Sequence, residues 1–258
     1  MIFIYSAIIF LLGTCLGSFA NVCIYRLPKN KQIVSGRSFC PKCKKKINWY
    51  DNLPLISFIF LNRKCRNCNK VIPTRYFIVE LITGISFLLI YLNFENLNII
   101  IFLSILVLIF IMIFFIDLEN FIIPDILNFS IMGLALFKNF LPNFNTSLIH
   151  EINQSIIGGM VGYISIWLII YLYKTFKKID GMGLGDAKLM AGIGFLFGWQ
   201  SIPFVLFVSA ILGLIFVLPS LLNKRKNMRS EIPFGPFVIA ACLIYFAQGD
   251  LLYSLILV

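Results

Sequence analysis

Between Asn96 and Asp117 the chain reads Asn96-LNIIIFLSILVLIFIMIFFI-Asp117, an apolar run without a charge, closed by an acid. Its length matches the ~20 residues a helix needs to cross the hydrocarbon of a bilayer. The rest of the chain is of the same kind. Of 258 residues 60% are hydrophobic and only 13% charged, with a mean hydropathy of +0.93. A soluble domain of that size could not keep so much apolar surface from water, so lipid is the main solvent.

Working outward, the run at 96–116 is the third of about eight expected spans. Residues 1–25 carry no charge, and positives follow rather than precede them, which reads as a retained first span with its N-terminus outside. A second span covers 77–92, a fourth 122–141 and a fifth 152–173. The uncharged stretch 189–223 is too long for one crossing and divides at Gly198-Trp199-Gln200 and Pro203 into a sixth and a seventh. An eighth begins at Ile232. The expected fold is therefore an all-α polytopic membrane protein in three parts. These are the first helix at 1–25, a small cytoplasmic cysteine module at 26–75 and a transmembrane core at 76–258.

The net charge of +11 raises nucleic acid as a partner, but its distribution excludes that reading. Thirteen Lys/Arg lie from Arg26 to Arg75, four from Lys174 to Lys188 and four from Lys224 to Arg229, leaving Lys138 alone on the outer side. Positive charge gathered on alternate connections is how topology is written, and it faces the cytoplasm. The one histidine, His150, falls on an outer loop and has no expected role.

Cys15, Cys23 and Cys242 are isolated in apolar stretches and read as small core residues. The other four form two pairs, Cys40-Pro-Lys-Cys43 and Cys65-Arg-Asn-Cys68, 21 residues apart in the most polar part of the chain. Two such knuckles offer four thiolates to one tetrahedral ion, and a loop of that length is cheap to close. The reading is a structural zinc site of Cys40, Cys43, Cys65 and Cys68, its thiols kept ionised by Lys42, Lys44, Lys45, Lys46 and Arg66. The alternative is a pair of disulfides or a thiol oxidoreductase, which a cytoplasmic location disfavours.

Asp117 closes the third span and Asp186 opens the sixth, in Gly183-Leu-Gly185-Asp186-Ala-Lys188. If the third span runs inward, parity brings both acids to the cytoplasmic face. Ionisable groups at a membrane edge are functional candidates. Two neighbouring carboxyls do not both ionise easily, so one keeps its proton. That is what aspartyl proteolysis requires: a carboxylate activates water while an acid polarises the peptide carbonyl. The glycines beside Asp186 allow an extended backbone to come close. The blander reading pairs these acids with Lys174, Lys177, Lys178 or Lys188. An ion- or proton-coupled transporter is the rival function, and it predicts acids near the midplane instead.

At these residues the chain resembles the type IV prepilin peptidases, a bacterial branch of the GxGD intramembrane aspartyl proteases. The resemblance runs through Gly17-Ser-Phe-Ala-Asn21-Val22, Arg26-Leu-Pro28, both cysteine pairs and Asn52-Leu-Pro54-Leu55-Ile-Ser57. It continues through Arg75-Tyr76, Glu80-Leu81, Asp117, Pro124-Asp125, the Asp186 motif and Ile232-Pro-Phe-Gly235-Pro236. It implies eight transmembrane helices in the bacterial inner membrane, and cleavage of prepilin or pseudopilin leaders after a glycine on the cytoplasmic side. It also implies methylation of the new N-terminus from S-adenosylmethionine. By motif position Asp117 and Asp186 match the catalytic pair, Asp125 an auxiliary acid and the four cysteines the zinc ligands. Members often carry a glycine just before the third cysteine, where this chain has Leu61-Asn62-Arg63-Lys64. Two features stay open between readings. Glu80 either orients substrate or pairs with Arg75 one turn away. Pro233 to Pro236 either line a substrate entry or break the eighth helix.

Overall fold

The computed structural model describes residues 2–33, 38–138, 152–178, 183–222 and 232–256. His150, the 224–229 cluster, and Gly181 and Met182 lie outside them. Among the described residues the chain is helical, and its extended backbone is confined to connections and two isolated bridges. Helices follow one another as α1 (Ile2–Arg26), α2 (Ile56–Phe60), α3 (Thr74–Asn93), α4 (Leu97–Asn120) and α5 (Asp125–Phe137). Then come α6 (Ile152–Lys177), α7 (Leu184–Phe197), α8 (Ser201–Leu222) and α9 (Gly235–Ile256). The chain divides into two compact units, Met1–Met112 and Ile113–Val258, with α4 contributing to both.

Five segments are long and apolar enough to cross a membrane: Phe3–Lys29, Thr74–Asn93, Leu97–Asn120, Ile152–Lys177 and Ser201–Leu218. The other three expected spans also form helices, but two are short. With 13 residues in α5 and 14 in α7, each extends only about 20 Å at ~1.5 Å per residue, against ~30 Å of hydrocarbon. Pro124 sets the late start of α5, since it stands as the cap with φ −61° and cannot continue a preceding helix. In contrast, α4 runs a full turn beyond the apolar run. Hydropathy marks where lipid ends; the helix itself ends only at Phe121, in the left-handed region at φ 57° with its N–H on the Asp117 carbonyl.

Glycine decides how the helices pack. In the first unit Gly13 and Gly17 of α1 lie on α3: a β-carbon at Gly13 would stand 2.9 Å from the Gly84 Cα, and one at Gly17 2.8 Å from the Glu80 Cα. In the second unit Gly158, Gly159 and Gly162 of α6 meet α7, with the Gly158 carbonyl against the Gly194 backbone and Phe195 over Gly159. Where lipid offers no hydrophobic drive between helices, such close backbone approach supplies the dispersion that holds them. Lys138, the lone outer cation of the charge count, is buried, and its Nζ donates to the carbonyls of Leu196 at 2.6 Å and Phe195 at 3.4 Å. It caps the C-terminus of α7, where a positive charge complements the helix dipole.

A contrast between glycines tests this packing. Gly158→Val should cost about 3 kcal/mol or more, because the α6–α7 backbones must separate. Gly133→Ala, in α5 with nothing within 4 Å of the added carbon, should be neutral or stabilise by about 0.5–1 kcal/mol. Thermal unfolding of the two variants in detergent, followed by size exclusion, reads the difference.

Candidate active site and metal centre

The four paired cysteines lie in the first unit, where two backbone knuckles share one design 25 positions apart. In the first, the Cys40 N–H bonds the Lys45 carbonyl, Lys44 N–H the Cys40 carbonyl and Ile47 N–H the Ser38 carbonyl. In the second, Cys65 bonds Lys70, Asn69 bonds Cys65 and Ile72 bonds Arg63 in the same sense. Each knuckle turns through a left-handed residue, Lys44 at φ 59° and Asn69 at φ 53°, and each is closed by a bridge, Phe39 with Lys46 and Lys64 with Val71. The first three members of the Cys40 turn are thus repeated in the Cys65 turn, and all four sulfurs come within 4.8 Å of one another. Cys40 and Cys68 Sγ are 4.0 Å apart, far beyond a disulfide bond. All seven cysteines are free. The backbone N–H of Asn67 at the Cys65 sulfur brings that thiol down to about 7.

Two expectations about this region change. Arg66 does not serve the thiols; its guanidinium forks onto Asp51, at 2.7 Å from Nη2 and 2.9 Å from Nε, tying the turn Trp49–Asn52 to the second knuckle. Glu80 accepts from the Leu55 N–H at 2.8 Å and from the Ser18 hydroxyl. In the stretch Leu61–Lys64 before the third cysteine, Asn62 and Arg63 stand at φ 46° and 59°. Two side-chain-bearing residues thus adopt the left-handed conformation there.

The acids belong to the second unit. Asp117 sits in the last turn of α4, 4% exposed, and its Oδ2 accepts the Gly235 N–H at 2.8 Å. Asp186 sits half-buried in the first turn of α7, its carboxylate accepts from the Gly183 backbone N–H, and it lies within coulombic range of Asp117. Ile123 packs between the two backbones. A β-carbon at Gly185 would stand 3.2 Å from the Ile123 Cβ, and one at Gly235 3.2 Å from its Cδ1 and 2.9 Å from Asp117 Oδ2. A β-carbon at Gly183 would meet nothing closer than 3.8 Å, and it would stand 3.9 Å from Asp186 Oδ2.

Among the described residues, those around this pair hold it without neutralising it. Lys188 pairs with Asp125 at 2.7 Å, not with Asp186. Asn128, fully buried, donates to the Gly185 carbonyl at 3.4 Å and fixes α5 against the start of α7. The Gly235 donor was not foreseen from sequence. Its signal was Pro233-Phe-Gly235-Pro236, where proline ends one conformation and glycine admits a carboxylate against the backbone.

Comparison with known proteins agrees with this division. Residues 11–94 match the model of the bacterial peptidase A24 N-terminal domain, and residues 102–218 that of the type IV leader peptidase family. A prepilin leader peptidase/N-methyltransferase of Vibrio cholerae is 35% identical, covering 95% of this chain and 98% of the relative. Proteins of the same name from Dichelobacter nodosus (32%, 93% and 90%) and Aeromonas salmonicida (29%, 96% and 92%) are similar along nearly their whole length. No solved structure matches. With both family models matched in order and relatives aligned almost end to end, the chain belongs to the type IV leader peptidase family.

Proposed function

We propose that this chain is a bacterial inner-membrane aspartyl endopeptidase that removes the leader of type IV prepilins or pseudopilins, then methylates the new N-terminal residue. The observation that carries it is the pair Asp117 and Asp186, in coulombic range of one another and, among the described residues, without a cation paired to either. One carboxylate takes a proton from water, and the other, still protonated, donates to the peptide carbonyl; the roles reverse as the amine leaves. The Gly235 N–H fixes the Asp117 carboxyl, and the glycines at 183 and 185 would let an extended substrate backbone come close to Asp186. These proton transfers use the two carboxyls and water.

In this reading eight helices cross the bilayer with the N-terminus outside. The cysteine module and both aspartates face the cytoplasm, in keeping with 21 of 22 basic residues on that side. The ion is zinc: at Zn–S distances of ~2.3 Å tetrahedral sulfurs lie about 3.8 Å apart, close to the spacing of the four thiols. Cys40, Cys43, Cys65 and Cys68 fill every position of such an ion, so its work is structural. S-adenosylmethionine supplies the methyl group.

Reconstituted protein tests the whole. Given a prepilin, it should release the leader, leave one methyl on the mature N-terminus when the donor is present, and hold about one zinc per chain. Uncleaved substrate in active vesicles would refute the proposal.

A further inference from the structure

Asp186 owes its direction to the place where α7 begins. Gly183 caps that helix at φ −82° and ψ 150°, with no side chain to bond the orphan N–H groups of the first turn. Asp186 stands three positions on. Its carboxylate reaches back to the Gly183 N–H, and its own N–H bonds the Gly183 carbonyl at 3.2 Å. The acid is thus fixed to the first turn of its own helix. Two of the three residues before it are glycines, Gly183 and Gly185, which leave that turn free to take other conformations. Something outside α7 must hold it.

The hold comes from α5, one stripe of which lies along α7. Asp125 pairs with Lys188 at 2.7 Å, Asn128 donates to the Gly185 carbonyl at 3.4 Å, and Ile131 packs on Gly192. Just past the end of α5, Lys138 bonds the Leu196 carbonyl. Positions 125, 128 and 131 share one helix face. The Asp125–Lys188 pair is partly exposed, a kind of tie worth about 0–1 kcal/mol. Asn128 is the buried tie, and it grips the residue next to Asp186.

Stability does not account for an asparagine at 128. The residue is 0% exposed, and among the described residues its Oδ1 has no hydrogen-bond partner. A buried acceptor left in that way costs about 1–3 kcal/mol. The bond its Nδ2 makes, at 3.4 Å, is longer than the about 2.7–3.2 Å of a good N–H···O bond. Asparagine is also a poorer helix former than leucine. The amide cannot turn round to improve matters, because the Gly185 carbonyl takes only a donor. A polar group kept at a net cost is expected where function needs it.

We propose that Asn128 is a positioning residue for leader cleavage: through the Gly185 carbonyl it holds the first turn of α7, and with it the Asp186 carboxyl, in register with Asp117. The inference rests on the peptidase half of the function proposed above. Asn128 acts through the Asp186 backbone and not on the reacting atoms. A displacement of about 1 Å at a reacting group can cost on the order of a hundred-fold in rate. A weak bond at this place therefore matters more for catalysis than for folding.

The test is steady-state leader cleavage by the full-length protein in lipid nanodiscs, with thermal unfolding measured on the same preparations. Asn128→Leu, close in size and wholly apolar, should unfold at or above the parent temperature. Its kcat per folded molecule should nevertheless fall about ten- to a hundred-fold with KM unchanged. Asn128→Ala removes the amide without adding bulk and should show the same fall, so a leucine that does not fit leaves the test intact. Asn128→Thr keeps a hydroxyl donor and should recover most of the lost kcat. Parent-like kcat in the alanine variant overturns the proposal while leaving the peptidase reading standing. A rise in KM at constant kcat also overturns it, by placing Asn128 in substrate binding, and so does a threonine variant no better than alanine. A parent protein that releases no leader defeats the peptidase reading and the inference together.

Discussion

Asp117→Asn and Asp186→Asn should each lower leader cleavage on the order of a thousand-fold or more, with no loss of folded protein. The expectation follows from what an amide keeps and what it lacks. At position 117 an asparagine oxygen still accepts the Gly235 N–H, and at 186 it still accepts from Gly183. Shape and packing around Ile123 are unchanged, so thermal unfolding should match the parent. Neither amide can take a proton from water or return one to a leaving amine at ordinary pH, so the reaction loses half of its proton traffic. The two carboxyls act as one unit, and the double variant should be scarcely worse than either single one. Asp117→Glu is informative in a different way: the longer side chain must displace the Gly235 backbone, and it should lose activity with some stability. Methylation of a peptide that already ends in the mature residue should survive in Asp117→Asn, separating the two activities. Cleavage persisting near the parent rate in either asparagine variant would remove these acids from the mechanism.

How much of this could be read beforehand differs by feature, for physical reasons. Asp117 and Asp186 stand out because a charge interrupts a long apolar run, and such a residue is expensive in lipid. The cysteine pairs stand out by spacing. What stayed hidden was carried by the backbone. The 25-residue repeat of the two knuckles rests on hydrogen bonds that do not depend on most side chains. Outside the cysteines, few residues coincide: Lys45 with Lys70 and Ile47 with Ile72. The donor to Asp117 is a main-chain N–H 118 positions away. The start of α5 was misread because hydropathy continues through Phe121 to Ile123, where the backbone is not helical and Pro124 delays the next helix. Lys138 looked like a stray outer charge because its partners are carbonyls, which have no sequence signature.

Replacing Cys40 or Cys65 by serine should strip the metal and loosen the cysteine module while leaving the second unit folded. Apparent binding energies for structural zinc are about 10–16 kcal/mol for four ligands together. Losing one of four thiolates therefore costs about 3–4 kcal/mol, or a few hundred-fold in affinity. The two knuckles are built alike, so the two substitutions should weaken binding to a similar extent, which a redox pair plus two idle thiols would not produce. Cys15→Ser, on an exposed thiol outside the cluster, serves as the control and should change nothing. Metal content by mass spectrometry and protease sensitivity of the 38–72 segment are the readouts. Cleavage by Asp117 and Asp186, which belong to the other unit, should fall much less. A full complement of zinc in both variants would mean that the four sulfurs do not share an ion, and the module would then need another explanation for their approach to within 4.8 Å.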